Sequence, residues 1–355
     1  MDLSELLKKD PYSLSRIEKD EIYREALYKL TEHHYKHCSQ YRKILDLLLI
    51  NPNIKRDKED IPFVPVRLFK DYELYSIDKR KIYKTMTSSG TSGQGVSKIF
   101  LDKVTATTQT KVLAKIVSEF IGPKRLPMMV IDTKSILQNR NHFSARGAGI
   151  LGFSMMGRDV TYILDDDMRL NMNSLDEFCH KYQGRDILVF GFTYMVWEFF
   201  YKALIKLGKK LSLPNAILIH GGGWKKINDQ AVDNDTFKRS IEISSGIKKI
   251  FNYYGMVEQT GSIFMECEQG YFHTSIFSDV IIRNNDFLTC SINEPGLIQL
   301  LSLIPESYPG HSILSEDIGQ IIGEDDCKCN RLGKFFKVQG RVLNAEIRGC
   351  SDAFA

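Results

Sequence analysis

Apolar positions along the chain recur first at helical and then at strand spacing. Between residues 14 and 50, Ile22, Ala26, Leu27 and Leu30 share one helical face, and Ser15 with Glu18 supplies a capping box at its start. His33, His34 and His37 follow on the same helix. His33 and His37 share a face, but no acidic or cysteine partner lies nearby, so they read as surface polar residues. Asn51-Pro52 ends the helical part, and Pro62 and Pro65 exclude a regular helix at the start of 61–70. A strand over 81–84, a polar loop and a strand over 99–101 come next, then a helix over 103–120. Buried-type strands at 127–132, 187–190 and 216–219 alternate with amphipathic helices over 175–182 and 194–207, the pattern of an α/β sheet covered on both faces. From residue 251 short strands dominate, at 263–265, 280–282, 297–301, 318–322 and 335–338, which predicts a smaller β-rich subdomain.

Composition narrows the classes. With 355 residues the chain can bury a sizeable core, and 43% hydrophobic with 26% charged residues is ordinary for a globular protein. The net charge of +4 is small, and basic residues come in short groups such as Lys124-Arg125 and Lys248-Lys249, so no stripe argues for nucleic acid. The apolar stretch 187–201 is too short to span a bilayer and is interrupted by Glu198, and the N-terminus lacks the pattern of a signal peptide. A soluble, cytoplasmic protein without membrane insertion is expected. Seven cysteines at irregular spacing fit a reducing compartment better than a disulfide framework.

The loop between the strands at 81–84 and 99–101 is the main candidate for chemistry. Thr87-Ser88-Ser89-Gly90-Thr91-Ser92-Gly93 offers hydroxyls and glycines whose backbone N–H groups can enclose an anion, and Lys98 can add a point charge to a phosphate. From composition alone it reads equally as a Ser/Gly-rich hairpin loop. Gly90 and Gly95 have Walker spacing, but Val96-Ser97 follows where Lys-Ser/Thr is needed; a dinucleotide fingerprint needs glycine where Lys98 stands. A second candidate is metal-binding. Cys267, His273, Cys327 and Cys329 would complete a closed tetrahedral zinc set if the two halves meet. Cys38, Cys179 and Cys290 lie in helix- or strand-like surroundings and read as packing residues.

The loop resembles the phosphate loop of adenylate-forming enzymes, and four later segments resemble motifs of that superfamily in the same order. His220-Gly221-Gly222-Gly223-Trp224-Lys225 follows a buried strand, where a flat ring can lie against glycine backbone. Tyr253-Tyr254-Gly255-Met256-Val257-Glu258-Gln259 resembles the Tyr-Gly-x-x-Glu signature, which implies an aromatic near adenine and a glutamate that helps hold magnesium. Asp317 stands where the superfamily binds the ribose hydroxyls, and Arg341, in 340–349, where a hinge arginine contacts the nucleotide. Leu343-Asn344 replaces acidic residues there. The fold implied is the large N-terminal domain of an adenylate-forming enzyme, a layered α/β structure with a smaller β-rich subdomain, the mobile C-terminal domain being essentially absent.

With 63–70 and Arg348-Gly349-Cys350-Ser351 added, the chain is similar to the acyl-protein synthetase family, the LuxE-type fatty-acid component of bacterial bioluminescence systems. That resemblance implies ATP and Mg2+ as cofactors, AMP as product, structural Zn2+ as in some phenylacetate-CoA ligases, and a fatty acid as substrate. It also implies acyl transfer to Cys350 and on to an acyl reductase or carrier protein. Arg348 beside Cys350 would favour the thiolate that attacks an acyl adenylate. The organisation expected is a helical segment over 1–60, a nucleotide- and acyl-binding core over 61–250, a β-rich subdomain over 251–340 and a tail over 341–355. An aryl- or acyl-CoA ligase of the phenylacetate type and a nucleotide-binding subunit without chemistry are the alternatives.

Overall fold

The computed structural model describes residues 3–88, 95–137, 145–224 and 231–342. In chain order these contain helices α1 (Arg16–His37) and α2 (Ser39–Leu47), strands β1 (Lys84–Thr87) and β2 (Lys98–Leu101), and helix α3 (Lys103–Ile121). Next come β3 (Leu126–Thr133), α4 (Ala145–Ser154), β4 (Gly157–Leu164), α5 (Met172–Lys181) and β5 (Ile187–Phe192). A helical stretch with a π turn at Val196–Tyr201 follows, then β6 (Ala216–Gly221), α6 (Asn234–Ser245) and β7 (Lys249–Tyr254). The remaining strands are β8 (Phe264–Glu266), β9 (Phe272–His273), β10 (Ser278–Arg283), β11 (Gly296–Ser302), β12 (Ser312–Glu324) and β13 (Lys334–Arg341). The described residues form two compact units, one from the described part of 3–116 with 255–342, the other from that of 117–254.

The second unit holds five parallel strands in the order β7-β6-β5-β3-β4. Ile187–Phe192 and Ala216–Gly221 are buried at every position, as strands covered on both faces require. The chain leaves β3 towards β4 on one side and continues through β5, β6 and β7 on the other, so the topological switch point falls between β3 and β5. Two elements in this unit escape the periodicity argument. Helix α4 carries Gly147, Gly149 and Gly152, which weaken its helical signal, and β4 is an edge strand with half its positions polar.

The first unit is mixed. Its antiparallel strands run β10-β11-β12-β13-β9-β8, and Val64–Pro65 pairs in parallel with β12. Strand β1 begins later than the sequence pattern suggests, because Lys79–Lys81 forms a 3-10 turn in which Asp78 accepts from Arg80 N–H at 2.9 Å. Helix α1 buries Lys19, Tyr23, Leu27, Leu30 and His34 along one stripe. Lys19 donates to Ser278 O at 2.8 Å and Thr274 Oγ1 at 3.1 Å, and lies 3.8 Å from buried Asp279. Lys58 and Lys334 face the same carboxylate at 3.0 and 3.8 Å. Burial lowers Lys19 to about 8, with Asp279 opposing. Removing Asp279 would leave three buried cations around a void.

The histidines of α1 divide. His37 is exposed and His33 half-buried, but His34 is fully buried, contrary to a surface reading of the run. Ser76 Oγ lies 2.7 Å from its Nδ1, its Nε2 donates to Pro305 O at 3.0 Å, and its ring stacks on His311 at 4.9 Å. With both ring nitrogens satisfied, neutral imidazole is tolerated in the core. No described helix is long and apolar enough to cross a membrane.

Candidate active site and metal centre

The antiparallel pairing of β1 with β2 forms the hairpin that carries the phosphate-loop motif, with Thr87 opposite Lys98. At its neck Ser88 N–H donates to Ser97 O at 3.1 Å, and Ser97 N–H donates to Ser88 Oγ at 2.8 Å. Ser88 therefore closes the hairpin, its hydroxyl accepting from the backbone. Lys98 is half exposed, 4.0 Å from Glu73. Ser89, Gly90, Thr91, Ser92 and Gly93 lie outside the described residues, as do Lys225, Arg348 and Cys350.

The glycine segment ends β6, and its backbone is less open than expected. A side chain at Gly221 would approach the Tyr253 ring to 2.6 Å and Tyr253 O to 2.7 Å; one at Gly222 would meet Phe192 at 2.9 Å. The protein's own rings therefore fill the space that a Cβ would take at Gly221 and Gly222. Gly223 has nothing within 4 Å, and both it and Gly222 have positive φ, 67° and 86°. His220, just before them, is 1% exposed, shares a hydrogen bond with Thr193 Oγ1 at 3.0 Å and tilts over Phe237 at 4.4 Å. Burial lowers it to about 3, so the ring is neutral at pH 7. Tyr254 is half-buried at the end of β7.

In the first unit, Gly255 sits tight against Ile263, 3.1 Å from an added Cβ. Glu258 is 2% exposed in the turn Val257–Gln259, whose Glu258 O accepts from Tyr308 Oη at 2.8 Å. Gln259 is 1% exposed beside it. Its amide nitrogen donates to Leu300 O at 3.0 Å and Gly310 O at 2.8 Å, so both N–H groups serve the fold. Asp317 and Arg341 stand opposite each other on β12 and β13. Arg341 Nε donates to Asp317 Oδ1 at 3.0 Å, and Nη2 donates to Glu316 Oε2 at 3.2 Å. Strand register thus unites two predicted nucleotide-binding residues; sequence alone did not single out Glu316.

Strand pairing also unites the two halves of the cysteine–histidine set. Strand β9 lies between β8 and β13, which places His273 beside Phe335 and near Cys267, just past β8. Cys267 Sγ is 4.0 Å from Cys327 Sγ, and Cys329 Sγ is 3.3 Å from His273 Nε2. All four donor atoms lie within 4.8 Å of one another. Zinc–sulfur bonds of 2.3 Å imply tetrahedral edges of about 3.8 Å, so the set fits a closed zinc site. Gln269 N–H donates to Cys267 Sγ at 3.4 Å, and Arg331 pairs with Glu268 beside the cage. Burial lowers His273 to about 4, leaving the neutral ring that ligates metal, and pushes Cys327 up to about 12. A bound cation would displace that thiol proton.

The family model of the acyl-protein synthetase LuxE matches residues 2–355. The chain belongs to this family. It is therefore an enzyme of the ligase class. Among relatives, this LuxE-family chain is 23% identical over 340 residues to the long-chain-fatty-acid–luciferin-component ligase of Vibrio harveyi, covering 90% of this chain and 84% of that one. The protein of the same name from Photorhabdus luminescens is 32% identical over 88 residues, 25% of this chain and 75% of the relative. In fold the chain is similar to 2-hydroxyisobutyryl-CoA ligase in an open conformation with 2-HIB-AMP and CoA. The TM-score is 0.73 at 12% identity, over 95% of this chain and 78% of that one. The same ligase in its postadenylation state gives 0.72 at 13% identity, over 94% and 70%. The fold of this acyl-protein synthetase family member is that of the adenylate-forming ligases.

Proposed function

We propose that the chain activates a long-chain fatty acid with ATP and passes the acyl group through its own Cys350 to a partner. The family match over nearly the whole chain carries this reading. The fatty-acid carboxylate attacks the α-phosphorus of ATP, pyrophosphate leaves, and acyl-AMP forms. The Cys350 thiol loses its proton to solvent, its sulfur attacks the acyl carbonyl, and AMP leaves; an acyl reductase or carrier protein then accepts the acyl group. The loop amides of 87–93 and Lys98 hold the phosphates and stabilise the departing pyrophosphate.

Buried Glu258 is the candidate donor to magnesium, which when bound neutralises charge on the triphosphate. Asp317 accepts from the ribose hydroxyls, and Arg341, already paired with it, orients that carboxylate and faces the nucleotide. Zinc on Cys267, His273, Cys327 and Cys329 would be structural, since four protein ligands leave no vacancy for substrate. The tail 341–355 acts in this scheme as the carrier arm.

The test is incubation of the purified chain with ATP and labelled fatty acid. Labelled protein that neutral hydroxylamine strips is expected, and Cys350→Ser should abolish the label while leaving fatty-acid-dependent pyrophosphate exchange intact. Label retained at full level in Cys350→Ser refutes the thioester assignment. Formation of a CoA thioester in place of protein label would favour a CoA ligase.

A further inference from the structure

Helix α2 buries Tyr41 and Leu45 and then runs out into solvent. Leu47, Leu48 and Leu49 at its end are 83%, 59% and 92% exposed, and Ile54 beyond them is 52% exposed. Single exposed leucines are ordinary on a globular protein, but three in succession call for a function. The fold does not require them. Leu49 leaves the helix with φ 54°, the left-handed position that glycine fills at least cost, and its side chain projects almost wholly into solvent. The turn that presents them is well bonded. Ile50 N–H donates to Leu45 O and Asn53 N–H to Asn51 Oδ1, both at 2.9 Å, and Arg56 Nη1 donates to Asn51 O at 2.9 Å and Ile54 O at 3.0 Å.

Charge around this tip is mainly positive. Residues 42–56 carry Arg42, Lys43, Lys55 and Arg56 against one carboxylate, Asp46, which accepts from Tyr35 Oη at 2.8 Å. Arg42 donates to Tyr35 O and Lys36 O, and Arg56 to the two carbonyls above, so these bonds leave both charges uncancelled. Lys55 pairs with Glu25, and Asp57, just beyond, lies 3.5 Å from Arg24. Glu59 and Asp60 act on Arg283.

We propose that the turn 47–54 is a docking surface for an anionic lipid bilayer. Its leucines and Ile54 enter the boundary between headgroups and acyl chains, while Arg42, Lys43 and Arg56 meet the anionic headgroups. The contact is peripheral and uses a turn, with no crossing helix. A second copy of the chain fits this tip poorly, because tip-to-tip pairing would bring the same cations together. A protein partner needs a pocket matched to the leucines, whereas a bilayer admits them without one. A bilayer is also where a long-chain acid dissolves, so docking would bring the chain to the substrate proposed above. The docking itself does not depend on the adenylation reading.

The experiment is co-sedimentation of the full chain with vesicles of phosphatidylcholine alone and of phosphatidylcholine mixed with phosphatidylglycerol, at low and high salt. The wild type should bind the mixed vesicles, bind phosphatidylcholine more weakly, and lose affinity as salt rises. Leu47→Ser combined with Leu49→Ser should weaken binding about tenfold. Lys43→Gln should weaken it about fivefold on the mixed vesicles only. Leu49→Gly separates docking from folding: it should melt no lower than the wild type, since glycine suits the left-handed position, yet bind vesicles more weakly. A wild type that fails to sediment with the mixed vesicles overturns the proposal. So does binding that survives removal of the leucines, which would be charge attraction alone. Sedimentation equilibrium that shows a dimer dissociated by Leu49→Gly would assign the tip to a second copy and overturn it as well.

Discussion

Acid should weaken each unit through imidazoles buried in the neutral form. His311 in the first unit and His220 in the second are both held down to about 3, chiefly because burial removes the imidazolium from water. His34 moves in the same direction, by burial and by the neighbouring His311. In the unfolded chain imidazole titrates near 6.5. With the folded value below the unfolded one, the unfolded chain binds the extra proton as pH falls. The contribution is therefore complete above about 6.5 and is lost progressively down to the folded value. Between pH 7 and pH 5 the linkage gives about 2 kcal/mol for each of His311 and His220, a large part of a typical domain's stability. Both tryptophans, Trp197 and Trp224, lie in the second unit and pack with Phe237, the ring over which His220 tilts, so their fluorescence reports its unfolding. Urea unfolding at the two pH values should show the full loss in wild type, with His220→Asn reducing the difference by about 2 kcal/mol. The comparison is between pH values within each protein, so a general weakening of the variant cancels. If the variant retains the whole pH-dependent loss, His220 is not the buried neutral group that the linkage requires.

Metal analysis of the purified chain should find one zinc, and Cys327→Ala should abolish it; a zinc content unchanged in that variant would refute the four-ligand assignment. Because binding to the folded form adds to its stability, a chelator should lower the melting temperature of wild type and leave Cys327→Ala unaffected. Gly221→Ala should destabilise the second unit by about 1–3 kcal/mol, because the new methyl meets both the ring and the carbonyl of Tyr253. Tyr253→Ala combined with it should recover little, since the carbonyl clash persists; full recovery would show that the ring alone is responsible.

The sequence was legible where one local pattern dictates the outcome. The periodicity of α1 and its capping box, the uninterrupted apolar runs of β3, β5 and β6, and the change to short strands after residue 251 all follow from side-chain spacing and burial. Helix α4 and edge strand β4 were not legible, because glycine content and half-polar positions erase the local signal and only packing in the unit fixes them. The same division applies to chemistry. The order of glycine, tyrosine, glutamate, aspartate and arginine motifs can be read along the chain. That Asp317 meets Arg341, and that Cys267 and His273 meet Cys327 and Cys329, depends on strand register, which brings residues distant in sequence within bonding distance. The contacts of Tyr253 with Gly221 and of Phe192 with Gly222, and the burial of His34, likewise depend on which side chains fill the remaining space. Residue types and their spacing determined what chemistry this chain can hold. Close packing decided which of those groups face one another and which are covered, because each covered surface is set by a partner that local sequence does not name.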